Sequence, residues 1–284
     1  MAGPGDHTQA TAAGITATRL PSANGRVRIQ GPTRWDLWWV EPVLIVAYLG
    51  LFIVYSTWAA LQNAHYYAAP YLSPFYSPCL STDCQHVTLP LFGRMPSLPV
   101  VGALSPAFLI LWAPGLFRLT CYYYRKAYYR SFWGAPPACA VSDIRPGYAG
   151  ETRFPLLFQN LHRYAFYLAV VFVAILTYDA ILAFRFPEGF GIGVGTLVMF
   201  ANVILLGCYT FSCHSCRHLC GGYLDVFSTA PRRYGLWYMV TQLNERHPLF
   251  AWLSLSSVGL ADLYIRLVSM GVIRDLRIIL LRLV

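Results

Sequence analysis

The sequence predicts an all-α membrane protein, a bundle of five transmembrane helices with its N-terminus in the cytoplasm. Three observations carry that prediction. Of the 284 residues, 57% are hydrophobic and only 12% are charged, against roughly 25% charged in soluble domains. Five apolar stretches of about 20 residues, the length that crosses the hydrocarbon core, can be placed at about 42–62, 100–121, 162–184, 193–216 and 249–272. Tryptophan and tyrosine crowd their ends (Trp35, Trp38, Trp39, Trp58, Tyr122, Tyr123, Tyr124, Trp133), as in interfacial belts. No repeat and no alternating strand pattern is visible, so residues 35–284 read as one α-helical membrane domain.

Taken in order, residues 1–34 are rich in Ala, Gly, Thr and Pro without the apolar core of a signal peptide, and read as a flexible cytoplasmic tail. Basic residues then orient the spans. The tail holds Arg19, Arg26, Arg28 and Arg34, while the first loop, Asn63 to Pro99, has only Arg94. The second loop holds Arg125, Lys126, Arg130, Arg145 and Arg153, the third only Arg185, and the fourth Arg217, Arg232, Arg233 and Arg246. The positive-inside rule therefore puts the tail and loops two and four in the cytoplasm of a multi-pass inner-membrane protein. The formal charge of +9 is topology of this kind, and the expected partner is the bilayer rather than nucleic acid. Arg274, Arg277 and Arg282 break the pattern, and an amphipathic interfacial helix at the C-terminus is expected to reconcile them.

The chemistry concentrates in Ser212-Cys213-His214-Ser215-Cys216-Arg217-His218-Leu219-Cys220, at the end of the fourth span. Ionisable groups at membrane depth are costly and usually mark a path or a bound metal. Cys121, Cys139 and His162 belong to the same face by topology. Read as one helix, the segment puts His214 and His218 on one side and Cys213, Cys216 and Cys220 on a neighbouring one, with Gly221 and Gly222 ending it. Zinc accepts Cys and His, but the paired spacings of zinc modules are absent. Haem b would use two histidines, such as His162 with His214 or His218, and leave the thiols unexplained. A Rieske-type [2Fe-2S] cluster uses two Cys and two His. Set against these, Cys208 reads as apolar filler, as Cys216 and Cys220 do on the bland reading, and His7 and His247 look ordinary. Cys79 and Cys84 in the first loop suit a disulfide; His65 and His86 there have no evident partner. Asp179 lies in span three, and Asp262 and Arg266, four apart in span five, read as an ion pair.

These pieces together resemble the five-helix, single-subunit membrane anchors of an actinobacterial type of succinate dehydrogenase. The resemblance rests on Cys121-Tyr122-Tyr123-Tyr124-Arg125-Lys126, Pro136-Pro137-Ala138-Cys139-Ala140-Val141, Leu161-His162-Arg163-Tyr164 and Cys213-His214-Ser215-Cys216-Arg217-His218-Leu219 with Gly221-Gly222, and covers roughly residues 35–275. It implies a complex with a soluble flavoprotein that oxidises succinate and a soluble iron-sulfur subunit. Electrons would pass through a Rieske-type [2Fe-2S] cluster in the membrane to quinone, and this chain would not itself oxidise succinate or hold catalytic residues for it. Carried over by motif, Cys139 and Cys213 are the thiolate ligands, with two of His162, His214 and His218. The extra thiols Cys216 and Cys220 depart from that pattern. Basic loops two and four would meet the docked partner. Quinone needs an apolar slot with polar groups at its mouth, for which Tyr123, Trp133, Arg217, Tyr234 and Trp237 are candidates. The rivals are a haem b anchor of the same complex and, from another class, a Cys/His metal-gated transporter or sensor.

Overall fold

The computed structural model describes residues 36–84, 91–98, 102–141, 144, 152–154, 156–222 and 224–282. The expected tail 1–34 with its four arginines and His7 lies outside the described residues, as do Trp35, His86 and Arg145. Among those described, four helices are long and apolar enough to cross a membrane: α1 (Val40–Leu61), α4 (His162–Leu182, entered through a 3-10 turn over Leu156–Leu161), α5 (Val194–Phe211) and α8 (His247–Ser269). They carry bulky apolar side chains on all sides rather than on one stripe. No more than 33% of any spanning window is buried within the protein. The outward remainder, such as Leu44, Leu51 and Val54 on α1, is the surface that lipid covers. Buried alanines at the helix contacts, Ala165 and Ala169 on α4 and Ala251 and Ala261 on α8, let backbones approach closely.

Two of the five expected spans are interrupted. The second, 100–121, is helical only over α2 (Phe108–Thr120), about 20 Å at 1.5 Å per residue. That is short of the roughly 30 Å core. Its expected beginning is instead β4 (Gly102–Ala103), paired with β3 (Ser97–Leu98). After Cys121, in extended conformation (φ −61°, ψ 131°), the chain resumes as α3 (Tyr122–Tyr128). The fourth span stops at Phe211, and beyond extended Cys213 (φ −63°, ψ 145°) a new helix, α6 (His214–Gly221), begins. Cys213 therefore caps α6 and does not continue a helix through the Cys-His segment, as the sequence reading assumed. The fourth loop contains α7 (Pro231–Glu245), too polar to cross.

Strands, not expected from the sequence, close the opposite end. The first loop folds as a hairpin of β1 (Tyr67–Ala68) and β2 (Tyr71–Leu72), a 3-10 turn over Pro74–Tyr76 and a Cys79–Cys84 disulfide, as expected for those thiols. β5 (Arg185–Phe186), β6 (Gly189–Gly193) and β7 (Arg277–Arg282) form an antiparallel sheet in that order. The expected C-terminal amphipathic helix is thus a strand. The chain leaves α8 through Gly271 at φ +72°, a conformation that glycine adopts freely, and Ile278 and Ile279 suit a strand better than a helix. Arg277 pairs with Glu188 at 2.7 Å. Gly191 of β6 is required by contact, since a Cβ there would lie 2.6 Å from the Ile278 carbonyl oxygen.

The expected Asp262–Arg266 ion pair is present, 2.7 Å long and buried. Its guanidinium also donates to Gln62 Oε1 and to the carbonyls of Ala64 and Ala59, while Tyr55 and Ser73 donate to Asp262. Ser77 donates to buried Asp179. Loop and helices are locked together by groups that satisfy one another.

Candidate cofactor site at the helix junctions

At the other end, the C-terminal ends of α2 and α5 meet the N-terminal ends of α4 and α8. Both interrupted spans break at a cysteine. Each cysteine is extended and caps the short helix that follows, so the free N–H groups of that helix lie near its sulfur. Ser215 N, 3.4 Å from Cys213 Sγ, shows this directly.

Opposite each thiol stands an imidazole. His162 Nε2 is 2.9 Å from Cys213 Sγ, and His247 Nε2 is 3.3 Å from Cys121 Sγ. The remaining ring nitrogens are held by hydroxyls: His162 Nδ1 by Thr120 Oγ1 at 2.9 Å, and His247 Nδ1 by Ser212 Oγ at 2.7 Å. Phe117 stacks on His162 with ring centroids 4.9 Å apart and planes 6° apart, and Tyr209 stacks on His247 at 5.1 Å and 16°. The two thiols share one buried cluster with Phe117 and Tyr209, and these two rings, stacked on His162 and His247, meet each other at 5.4 Å. Cys121, Cys213 and His247 are buried, while His162 borders an open polar cleft of about 330 Å³ with Gln159, Arg125, Arg163, His214 and His218. Two thiols and two imidazoles, each ring fixed by an outer hydroxyl, are a donor set for a metal centre. Among the described residues no three His, Cys, Asp or Glu side chains converge tightly enough for a single ion. A Rieske-type binuclear cluster takes two imidazoles on one iron and two thiolates on the other.

Of the sequence-predicted ligands, His162 and Cys213 fall in this constellation. His214 and His218 line the cleft beside it, and Cys139 is exposed in a separate pocket with Asp36, Glu41 and Arg130. The sequence puts Cys121 on this face without marking it as a ligand, and His247 looks ordinary there. The available signal was His247-Pro248 at the start of the fifth span, because Pro favours the first turn of a helix and so puts His247 at the same depth as His162. Cys216 is buried in α6, where burial, and next the neighbouring Cys220, pushes its thiol up to about 12. Among the quinone candidates, Arg217 lies 4.7 Å over the ring of Trp237, which stacks with Tyr234. Tyr123 accepts from Trp252 Nε1 at 2.8 Å, and Trp133 is 37% exposed on the π-helical turn after α3. Arg217, Trp237 and Tyr234 thus form one group, and Tyr123 belongs to another with Trp252.

The model of the family described as actinobacterial succinate dehydrogenase subunit SdhC matches residues 40–271. The chain belongs to that family. Among solved structures, a chain of the Mycobacterium smegmatis Sdh1 complex in the apo form is 48% identical. The match covers 91% of this chain and 98% of that one, with a TM-score of 0.82. No curated protein sequence matches. This SdhC-family chain is a multi-pass membrane anchor and a subunit of succinate dehydrogenase. The junction site lies inside the stretch that the family model spans.

Proposed function

We propose that this anchor carries electrons from a docked iron-sulfur subunit to quinone, and that Cys121, Cys213, His162 and His247 hold a Rieske-type [2Fe-2S] cluster. The observation that carries the proposal is that two thiols and two imidazoles from four separate chain segments gather at these helix junctions, the donor types and number that a cluster with one two-Cys iron and one two-His iron needs. This ligand set replaces Cys139 by Cys121 and assigns the second imidazole to His247, on distance and burial. Such a cluster, when bound, exchanges one electron at a time at a potential raised by its imidazole ligands into a range useful for quinones.

The chain's own residues orient and shield. Thr120 and Ser212 fix the ring planes of His162 and His247, and the stacked Phe117 and Tyr209 exclude water from their inner sides. The cleft with Arg125 and Arg163 is the docking side, where basic groups meet an acidic partner surface, with the flavoprotein bound beyond it. That face is cytoplasmic, in keeping with the basic loops two and four.

EPR of the reduced complex tests the proposal. A [2Fe-2S] signal shifted from the all-Cys form, lost in His247→Ala, is the expected result. A stoichiometric haem in a pyridine haemochrome assay would overturn it, and purification without a flavoprotein would remove the respiratory reading altogether.

A further inference from the structure

We propose that the outward face of the β5–β6–β7 sheet is seated in the membrane leaflet remote from the Cys–His site, where Arg185 and Arg274 take the phosphates of anionic phospholipids. The site is independent of the cluster and of quinone reduction.

One face of the sheet is pinned to the protein. In β6 the glycines Gly189, Gly191 and Gly193 are buried, while Phe190 and Ile192 are exposed. A Cβ on Gly193 would lie 2.3 Å from Tyr71 Oη. Tyr71 in turn donates to Asp275 at 2.6 Å, and Asp275 also accepts from Tyr264 Oη at 2.7 Å and from Gly195 N–H at 3.0 Å. Ile279 packs inward with Phe186 and Met199. These contacts fix which way the sheet faces.

Paired residues on neighbouring strands share a face. Phe190 pairs with Arg185 and with Leu281, and Ile192 pairs with Ile278, so all five stand on the outward face. Ile278 and Leu281 are each 70% exposed. An antiparallel sheet with one face in water carries polar residues there. This outward face is apolar except at its rim, and ring contacts show what it adjoins. Phe190 stacks on Phe184 with centroids 5.7 Å apart and planes 11° apart, and Phe184 meets Phe200 edge-on at 6.4 Å. Phe200 is an exposed residue of the spanning helix α5. The outward face is thus continuous with a surface that lipid covers.

Charge selects the kind of lipid. Arg185 and Arg274 are exposed, and neither has an ion-pair partner among the described residues, whereas Arg277 is paired with Glu188. Arg185 leaves the sheet on the same face as Phe190, so its stem can lie along apolar surface while the guanidinium reaches the headgroups. A guanidinium presents two parallel N–H donors to a phosphate. Open sheet edges do not occur in the hydrocarbon itself, so the free edge of β7 lies at headgroup level and only side chains reach below it. That is the depth of an interfacial amphipathic element, here a strand. It gives a use to arginines that follow the last span at the end opposite basic loops two and four.

The test uses the whole complex in nanodiscs of phosphatidylcholine and phosphatidylglycerol, with photoreactive forms of each lipid that carry the reactive group high on the acyl chain. Peptides covering 189–193 and 276–282 should be labelled, and more strongly by the phosphatidylglycerol probe. One arginine at the membrane surface favours an anionic lipid about fivefold. In the double variant Arg185→Gln with Arg274→Gln, the ratio of phosphatidylglycerol to phosphatidylcholine labelling should therefore fall by at least that factor. A sheet left unlabelled beside a labelled α5 means that protein covers it, whether a second copy or another partner, and overturns the proposal. Equal labelling of the wild type by the two probes, or an unchanged ratio in the double variant, overturns the phosphate contacts. If the double variant does not assemble, the wild-type ratio decides.

Discussion

Where the first loop closes the bundle, Asp262 and Arg266 are fully buried, yet each charge meets its opposite and further donors and acceptors complete the set. Where α2 and α5 break, the polar groups are two thiols, two imidazoles and two hydroxyls, paired thiol to imidazole and imidazole to hydroxyl. The first arrangement is complete without any ligand, as expected of groups whose role is to fix loop against helix. The second links its groups in two separate chains, Cys213–His162–Thr120 and Cys121–His247–Ser212. Burying polar groups in a membrane is costly in both places; one end offsets that cost with a charge pair, and the other with thiol, imidazole and hydroxyl contacts.

The largest effect should come from breaking the self-sufficient end. Arg266→Ala leaves Asp262 as an uncompensated buried charge, which costs about 3–5 kcal/mol. Detergent-solubilised complex should then be recovered in much lower yield and unfold at lower temperature, even when iron is plentiful. His247→Ala at the other end should instead leave an assembled complex that has lost its [2Fe-2S] EPR signal and on the order of 100-fold of its quinone reduction, while succinate oxidation with a soluble acceptor persists. Cys139→Ser should retain signal and activity, and loss of the signal in that variant would restore Cys139 as a ligand. Removing an outer hydroxyl, as in Thr120→Val or Ser212→Ala, should weaken cluster retention about 10–100-fold, read as iron lost per complex on mild chelation.

A smaller change is expected from Cys79→Ser with Cys84→Ser, which opens a short loop and costs about 2 kcal/mol. It should appear in thermal unfolding and leave the EPR spectrum untouched. Cys216→Ala should be the mildest, altering neither spectrum nor quinone kinetics and costing no more than about 1 kcal/mol.

The helices of this protein were legible because their signal is local. Apolar length and interfacial aromatics place α1, α4, α5 and α8 within a few residues of the expected spans. The Asp262–Arg266 pair was legible from its four-residue spacing, and the Cys79–Cys84 disulfide from its loop. The strand β7 was not, because its pairing with β6 joins segments far apart in the chain.

The sequence by itself determined that this is a helical membrane anchor with thiols and imidazoles gathered at one face, since composition, span length and motif depend only on neighbouring residues. Only the tertiary structure decided which donors meet. Cys121 and His247 stand 126 positions apart and approach to 3.3 Å because α2 breaks at the depth where α8 begins. That coincidence arises from packing between helices, and no spacing along the chain records it.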